Sequence, residues 1–191
     1  MSVATTSTFS DLPGGIPLVA SMDLERLLEQ VDYELYDGKL RTRPMGAKSS
    51  WIGARIHGFL FAFLIEHPLG HLFISDCGYT CFPKNNLRKP DVSFIRLGRL
   101  EGEEIPSGWL TIPPDLAVEV LSPGDVADEM DKKVQEYLKA GTRLVWEVHP
   151  ASKTVIVHRL DGTITALNET DSLDGEDVVV GFSVPLARVF E

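Results

Sequence analysis

Two acidic residues stand in apolar segments that predict buried β-strands. Glu119 lies inside LAVEV, and Asp91 opens PDVSFI directly after Pro90. A carboxylate is seldom buried without a partner, since the loss of its hydration costs roughly several kcal/mol. On neighbouring strands of one sheet, the two carboxylates would lie a few ångströms apart and repel each other. A divalent cation relieves that repulsion, and oxygen ligands favour Mg²⁺ or Mn²⁺.

A lysine on the following helix is the expected counter-charge of Glu119. At about 100° per residue, Lys133 lies on the apolar stripe of a helix predicted between Pro123 and Gly141, whereas Lys132 points towards solvent. A half-buried ammonium needs an anionic partner, and Glu119 stands on the strand before this helix. The remaining residues of the stripe are Val126, Met130, Val134, Tyr137 and Leu138.

Periodic patterns predict the elements that position these side chains. We expect helices over 22–30, 52–65, 125–140 and 181–190, and a hairpin that turns at Asp37-Gly38. Asp125 is the predicted N-cap of the third helix, and Gly141 is placed to end it. Strands are predicted over 71–82, 89–97, 115–121, 143–148 and 153–160. This order predicts an α/β domain over 21–191, with helices against a central sheet, after a mobile tail over 1–20.

The cysteines and nearby histidines do not form a convincing zinc site. Cys77 and Cys81 fall in the segment predicted as one strand, where positions four apart are separated by about 13 Å. Two thiolates at that separation can neither share a zinc ion nor form a disulfide. We expect both to be core or half-buried thiols. His57, on the long apolar helix, is more often a packed residue than a catalytic one.

Composition favours a cytoplasmic protein. The chain has 191 residues, two cysteines and a net charge of −10, with no apolar run of membrane-spanning length and no secretory signal. The acidic charge argues against a general nucleic-acid binder. A local basic rim is nevertheless predicted from two segments around the site, formed by Lys39, Arg41, Arg43, Lys84, Arg88 and Lys89.

Each candidate also has a non-catalytic interpretation. Glu119 and Lys133 could form only a buried ion pair that braces the helix on the sheet. Asp91, after a proline at a strand start, could be a residue that hydrogen-bonds within a turn. Glu34, taken from the residue pattern alone, is a solvated hairpin residue.

Several motifs together resemble one family. KPDVSFI, LAVEVLSPGD and DKKVQEYLKAGTRLVWEVHP occur in this order, with YELYDGKL before them and LDGEDVVVGFSVPLARVF after them. The set resembles an uncharacterised bacterial branch of the restriction-endonuclease-like PD-(D/E)xK superfamily, over about residues 22–190. The resemblance implies an α/β fold with a central mixed sheet flanked by helices.

The resemblance also implies roles for single residues. Asp91 matches the acid of the PD element and Glu119 the acid of (D/E)xK, while Leu121 stands where the lysine is usual. In this branch the lysine lies on the next helix, four residues before a tyrosine, which matches Lys133. Glu34 matches an additional acid near the site. The branch often has a histidine before the long helix, where this sequence has KSSW around Ser49.

The implied activity is Mg²⁺- or Mn²⁺-dependent hydrolysis of phosphodiester bonds, with DNA as the expected substrate. Asp91, Glu119 and the carbonyl of Val120 would hold the metal, and Lys133 would orient a water molecule or stabilise developing charge. Small members of the superfamily commonly pair, so a homodimer is expected. The alternative is a catalytically silent fold that serves as a structural or regulatory binding module; the missing histidine favours it.

Overall fold

A six-stranded mixed sheet forms the centre of the molecule. The computed structural model describes residues 33–37, 39–42 and 46–191. The strand order in the sheet is β3-β4-β5-β6-β7-β8, and β5–β6 is the parallel pair in an otherwise antiparallel arrangement. The strands are β3 (Gly70–Ile74), β4 (Val92–Arg96), β5 (Leu116–Val120), β6 (Leu144–His149), β7 (Thr154–Arg159) and β8 (Ile164–Leu167).

Two helices cover opposite faces of this sheet. Helix α1 (Ala47–Glu66) contributes Ile52, Ile56 and Leu60 to a core cluster that contains Val118 of β5. Helix α2 (Ala127–Ala140) contributes Met130, Val134 and Tyr137 to the second cluster, which contains Ala117 of β5. Successive residues of a strand point to opposite faces, so β5 is buried on both sides and Glu119 shares the α2 face with Ala117.

Smaller elements complete the fold. Strands β1 (Tyr33–Tyr36) and β2 (Lys39–Thr42) form an antiparallel hairpin. Strands β9 (Ser172–Asp174) and β10 (Ser183–Pro185) form a second antiparallel pair, followed by helix α3 (Leu186–Phe190). Within the described ranges, no helix is both long enough and apolar enough to cross a membrane.

Most of the predicted elements are confirmed. The hairpin, the long apolar helix, the strand that holds Glu119, the helix that ends at Gly141 and the terminal helix all form. Gly141 ends α2 in the left-handed conformation, with φ of 105°. The predicted helix over 22–30, the tail over 1–20 and Gly38 lie outside the described residues.

The predicted strand over 71–82 is wrong beyond its first half. Strand β3 ends at Ile74, and Tyr79 then makes only isolated bridges. Cys77 and Cys81 therefore lie beyond β3 and not, as predicted, on one strand. Both are nevertheless half-buried free thiols, as expected, and burial raises the pKa of each to about 11.

The start of α2 also differs from prediction. Its N-cap is Val126, with no side-chain capping bond, and Asp125 Oδ2 instead accepts a hydrogen bond of 2.6 Å from the main chain of Ser122. Asp125 therefore stabilises the turn before the helix. Val126, predicted on the apolar stripe, precedes the first helical turn and is 55% exposed.

Candidate active site

Glu119 has two partners on α2. Its Oε2 lies 2.8 Å from Lys133 Nζ, and its Oε1 accepts a hydrogen bond of 2.7 Å from the Tyr137 hydroxyl. Lys133 and Tyr137 are one helical turn apart, so they reach the same carboxylate from one face of the helix. Burial and the adjacent charge of Glu119 raise the pKa of Tyr137 well above its ordinary value, which keeps this hydroxyl a hydrogen-bond donor. The helix phase predicted from the sequence thus places Lys133 correctly.

Glu34 brings the hairpin into the same site. Its Oε1 lies 2.8 Å from Lys133 Nζ and accepts a hydrogen bond of 3.0 Å from the main-chain N–H of Lys89. Glu34 is only 6% exposed, so the interpretation as a solvated hairpin residue is wrong. The main-chain bonds between Leu35 and Leu87 hold the hairpin against this segment. One ammonium therefore lies between two buried carboxylates from different elements.

Arg88 is part of the buried ionic network rather than of a basic rim. It is 2% exposed; its Nη1 lies 3.5 Å from Glu34 Oε2, and its Nε donates to Glu136 Oε2 at 2.8 Å. Burial opposes its charge, but Glu34 and Glu136 outweigh that effect and raise the pKa of Arg88. Lys89 is also buried, and the exposed Lys84 pairs with Asp37 at 2.8 Å. The predicted rim is therefore wrong for Arg88 and Lys89.

The other residues of the predicted rim, Lys39, Arg41 and Arg43, have side chains outside the described part of the structure. Of the residues predicted from the second segment, only Lys84 presents its ammonium to solvent, with 70% of the side chain exposed.

Asp91 lies directly before β4, where this strand meets β5. Its main-chain N–H donates to the Val118 carbonyl at 2.9 Å, and its Oδ2 accepts from the Val120 N–H at 2.7 Å. The last paired residues at this end of the two strands are Val92 of β4 and Val118 of β5. The next residue is therefore Asp91 beside β4 and Glu119 on β5. Asp91 thus forms hydrogen bonds at a strand junction, as its non-catalytic interpretation expected. Its side chain reaches this junction from the α1 side, beside Gly53, whereas the Glu119 side chain points to the α2 side.

The donor set around this junction has the chemistry of a hard-cation site. Asp91 and Glu119 supply carboxylates, and the carbonyl of Val120 is directed to the same side of β5 as its N–H, which points at Asp91. Each carboxylate oxygen has two lone pairs, so the bonds from Lys133 and Tyr137 do not exhaust Glu119. The residues fit oxygen ligation of Mg²⁺ or Mn²⁺. No group of three or more His, Cys, Asp or Glu side chains in the described ranges is arranged to hold a metal, so the carbonyl would be needed.

A cavity of about 210 Å³ opens beside Asp91. It separates the start of α1 from the end of β3 and is lined by Ser49, Ser50, Gly53, Ala54, His57, Ile74, Ser75 and Asp91. His57 stacks on Phe61 with ring centroids 5.9 Å apart, and partial burial lowers its pKa. A neutral imidazole offers one donor and one acceptor. His57 is thus half-buried, as packed residues are, but it also faces the cavity.

Ser49, in the segment where the resembling branch often has a histidine, is tied to the main chain beyond Glu119. Its hydroxyl donates to the Leu121 carbonyl at 2.8 Å and accepts from the Ser122 hydroxyl at 3.1 Å. The Ser122 hydroxyl in turn accepts from the Gly46 N–H at 3.2 Å. These bonds fix the N-terminal end of α1 against the loop that follows β5.

Sequence reasoning did not identify Glu136 and Tyr137 as parts of this network. Tyr137 was assigned to the apolar stripe, and its position on the same face as Lys133 was the signal that could have connected it to Glu119. Glu136 lies beside the stripe, where a solvated glutamate is equally expected. In the folded chain, Glu136 has two buried partners, Arg88 and Asn86. Asn86 donates a hydrogen bond to Glu136 Oε1 at 2.8 Å. Neither contact is evident from the sequence.

Comparisons with known proteins agree with this fold and place the chain in a family. No curated protein matches the chain. A crystal structure described as "a putative nuclease belonging to DUF820", from Anabaena variabilis, is similar over 83% of this chain and 89% of its own, with 23% identity and a TM-score of 0.73. That similarity supports a nuclease-like α/β fold. A family model described as "Putative restriction endonuclease" matches residues 22–187. The chain therefore belongs to the Uma2 family.

Proposed function

We propose that this protein is a Mg²⁺- or Mn²⁺-dependent nuclease that hydrolyses phosphodiester bonds of DNA. The observation that carries the proposal is the position of Lys133, whose Nζ lies 2.8 Å from both Glu34 and Glu119 beside the strand junction of Asp91. This arrangement combines acidic oxygen ligands with a cation that can face a phosphate. Family membership and the nuclease-like fold support the same activity.

In this proposal, Asp91, Glu119 and the Val120 carbonyl hold the metal. A bound Mg²⁺ would supply a water molecule of lowered pKa and offset negative charge on the phosphate. The chain's own contribution is to hold the ligands in place: the Val120 N–H fixes Asp91 Oδ2, and the Tyr137 hydroxyl fixes Glu119 Oε1. Because these bonds exist within the fold, little reorganisation is needed when a substrate binds.

Lys133 then acts on the substrate. Its side chain is 12% exposed, so the ammonium lies at the edge of the site rather than in the deep core. Its Nζ lies 2.8 Å from both Glu34 and Glu119. From this position we assign to the ammonium a contact with the attacking water or with a non-bridging phosphate oxygen. Glu34 serves as a positioning residue that keeps Lys133 over the site.

The cavity beside Asp91 is the proposed place for a nucleotide next to the scissile phosphate. Its wall carries hydroxyl groups from Ser49, Ser50 and Ser75 together with the imidazole of His57. These groups can donate and accept hydrogen bonds without adding negative charge. Apart from Asp91, the polar groups of this wall are neutral, which suits a nucleoside better than the acidic remainder of the molecule does.

Charge sets limits on how the substrate is bound. With a net charge of −10 and with Arg88 and Lys89 buried, long-range attraction of DNA by this chain is weak. We therefore propose low affinity for a single chain and a homodimer as the active form. A cytoplasmic location is proposed because both half-buried cysteines are free thiols, as is usual in a reducing compartment.

A second function is favoured by one specific feature. Glu34, Glu119, Glu136, Lys133 and Arg88 compensate one another within the fold, which is also what a silent structural module would require. Ser49 replaces the histidine expected near the site. Under this alternative the ionic network only braces α2 and the hairpin on the sheet.

A plasmid-nicking assay separates the two functions. Wild-type protein with Mg²⁺ or Mn²⁺ is predicted to nick supercoiled DNA, and chelation of the metal should stop the reaction. Asp91→Ala should lower the rate at least ~10²-fold. Asp131→Ala, at an exposed position of α2, is the matched control and should nick normally. The absence of metal-dependent nicking by wild-type protein would favour the structural module.

A further inference from the structure

The outer face of α1 carries an apolar stripe that nothing in the described part of the chain covers. Trp51 is 43% exposed, Phe61 53% and Ile65 62%. Small residues lie between them at positions that are also exposed, namely Ala54, Gly58 and Ala62. The opposite face of the same helix packs on the sheet through Ile52, Ile56 and Leu60. A surface helix of a lone domain normally has a polar outer face, so this one is built to be covered.

The spacing of the stripe is that of a helix–helix seam. Residues 51, 54, 58, 61 and 65 follow one another at intervals of three, four, three and four, the pattern of alternating a and d positions. The seam is about 21 Å long at 1.5 Å per residue. Trp51 is held in place from one side, because the Arg55 guanidinium lies 4.8 Å from its ring centroid.

We propose that α1 binds α1 of a second copy of this chain, antiparallel, with the two helices crossing at Gly58. Apart from Phe61, whose counterpart is Arg55, the exposed small and apolar residues are symmetrical about Gly58: Trp51 and Ile65 are each seven residues away, and Ala54 and Ala62 each four. A two-fold interface must be complementary to itself. Antiparallel pairing sets Trp51 of each copy against Ile65 of the other, and the small residues Ala54, Gly58 and Ala62 against one another. This inference rests on the proposed homodimer but not on the proposed cleavage chemistry.

Charge complementarity favours a second copy over another apolar partner. Helix α1 has three charged residues, Lys48, Arg55 and Glu66, and the first and last are exposed near opposite ends. On a helical wheel both lie on the same flank of the stripe. Antiparallel pairing around Gly58 places Lys48 of each copy within a turn of Glu66 of the other. Parallel two-fold pairing would instead put this flank of the two copies on opposite sides of the seam, so neither charge would gain an oppositely charged neighbour.

The arrangement also relates the two candidate sites. Ser50 and His57, which line the cavity beside Asp91, lie on the flank of the stripe opposite to Lys48 and Glu66. When a two-fold axis relates two antiparallel helices, the same flank of both helices faces the same side of the dimer. Both cavities therefore open on one side of the dimer, next to the crossing. Two sites on one side suit a ligand with two strands.

The test begins with one substitution at the crossing. Among the described residues, a Cβ atom at Gly58 would meet nothing within 4 Å, so we expect Gly58→Glu to leave the fold of each copy undisturbed. In the dimer it places two carboxylates together, and we expect the dissociation constant to rise at least ~100-fold. Sedimentation of the full chain at about 1–100 µM, where weak interfaces are populated, measures this. Gln135→Glu adds the same charge at an exposed position of α2 and should not change dimerisation.

Charge reversal tests the antiparallel direction. Lys48→Glu and Glu66→Lys should each weaken the dimer several-fold, and the double variant should recover most of the loss. Circular dichroism verifies that each variant is folded. A monomeric wild-type protein overturns both this interface and the proposed homodimer. A wild-type dimer that Gly58→Glu leaves intact, or charge reversals without recovery, overturns the interface alone.

Discussion

The Lys133 ammonium lies 2.8 Å from Glu119 Oε2, although the two residues are fourteen positions apart and lie on different elements. Two positions after Glu119, where a strand-borne lysine would stand, the chain has Leu121. The helix thus delivers a cation to the carboxylate that the strand itself does not supply. Glu34 contacts the same ammonium from the hairpin, so three separate elements converge on one charge.

Lys133→Met should abolish nuclease activity while preserving the fold. Methionine keeps most of the unbranched stem, so packing on α2 survives, and only the charge is removed. We expect the cleavage rate to fall at least ~10²-fold, the usual scale for the loss of one such group. A nicking assay measures the cleavage rate, and circular dichroism measures whether the fold is preserved.

Lys132→Met is the matched control for this substitution, since Lys132 is the exposed neighbour on the same helix. It should retain full activity. Removing Lys133 also leaves Glu119 and Glu34 without their shared cation, which should lower the melting temperature in the absence of metal. Mg²⁺ should restore part of that loss. A loss of stability that Mg²⁺ cannot restore would support a purely structural ion pair.

Arg88→Met should destabilise the fold more than substitution of any exposed lysine. The guanidinium is 2% exposed and lies between Glu34 and Glu136. Its removal leaves Glu136 without its cation and Glu34 with Lys133 alone, at a cost of about 3–5 kcal/mol in the free energy of unfolding. Urea unfolding measures the change. Lys84→Met, which breaks an exposed pair with Asp37, should unfold almost as wild type does.

The sequence predicted the central parts of the fold because their patterns are local. Strand β5, helix α2 and the left-handed end at Gly141 follow from apolar periodicity and one glycine. The phase of α2 alone was enough to place Lys133 on the sheet side. The roles of Asp91 and Glu34 came from the family resemblance. The structure places Glu34 against Lys133 and Asp91 at the junction of β4 and β5, without testing those roles.

Other features could not be predicted because they depend on long-range packing. The sequence predicts Arg88 and Lys89 on a basic rim, but the docking of the hairpin through Leu35 and Leu87 buries them. The same docking buries Glu34, which an isolated hairpin would leave in water. The segment after Ile74 has alternating apolar residues, yet the strand ends in a turn at Ser75 and Asp76, and isolated bridges at Tyr79 follow.

The Glu147 carboxylate should make the free energy of unfolding depend on pH in the acidic range. Burial opposes ionisation, but the hydrogen bond with His158 Nε2 at 2.8 Å and the charges of His149 and His158 outweigh it and lower the pKa of Glu147. Its contribution to stability is fully present above the pKa of an unfolded glutamate and is lost as the pH falls through the lower folded value. Urea unfolding between about pH 7 and pH 3 covers this window.

Glu147→Gln serves as the reference for that measurement. The stability difference between wild type and Glu147→Gln should be largest near neutral pH and shrink towards acid. A difference that stays constant over the range would show that the charge of Glu147 contributes nothing.

His57→Phe tests the proposed nucleotide cavity. Phenylalanine can keep the ring contact with Phe61 but has no ring nitrogen to hydrogen-bond a nucleoside. We expect kcat/KM to fall about 10-fold, mainly through KM, because the group binds substrate without acting on the phosphate. Steady-state cleavage of a short duplex measures both constants. An unchanged KM would place the nucleotide outside this cavity.

The central claim is that Asp91 and Glu119 hold a divalent cation, and Mn²⁺ in a crystal tests it most directly. Anomalous scattering from crystals soaked with Mn²⁺ should give a peak bounded by the Asp91 carboxylate, the Glu119 carboxylate and the Val120 carbonyl. Crystals of Glu119→Ala treated in the same way should lack that peak. A soaked wild-type crystal with no peak at this junction, or with Mn²⁺ bound only elsewhere, would contradict the account.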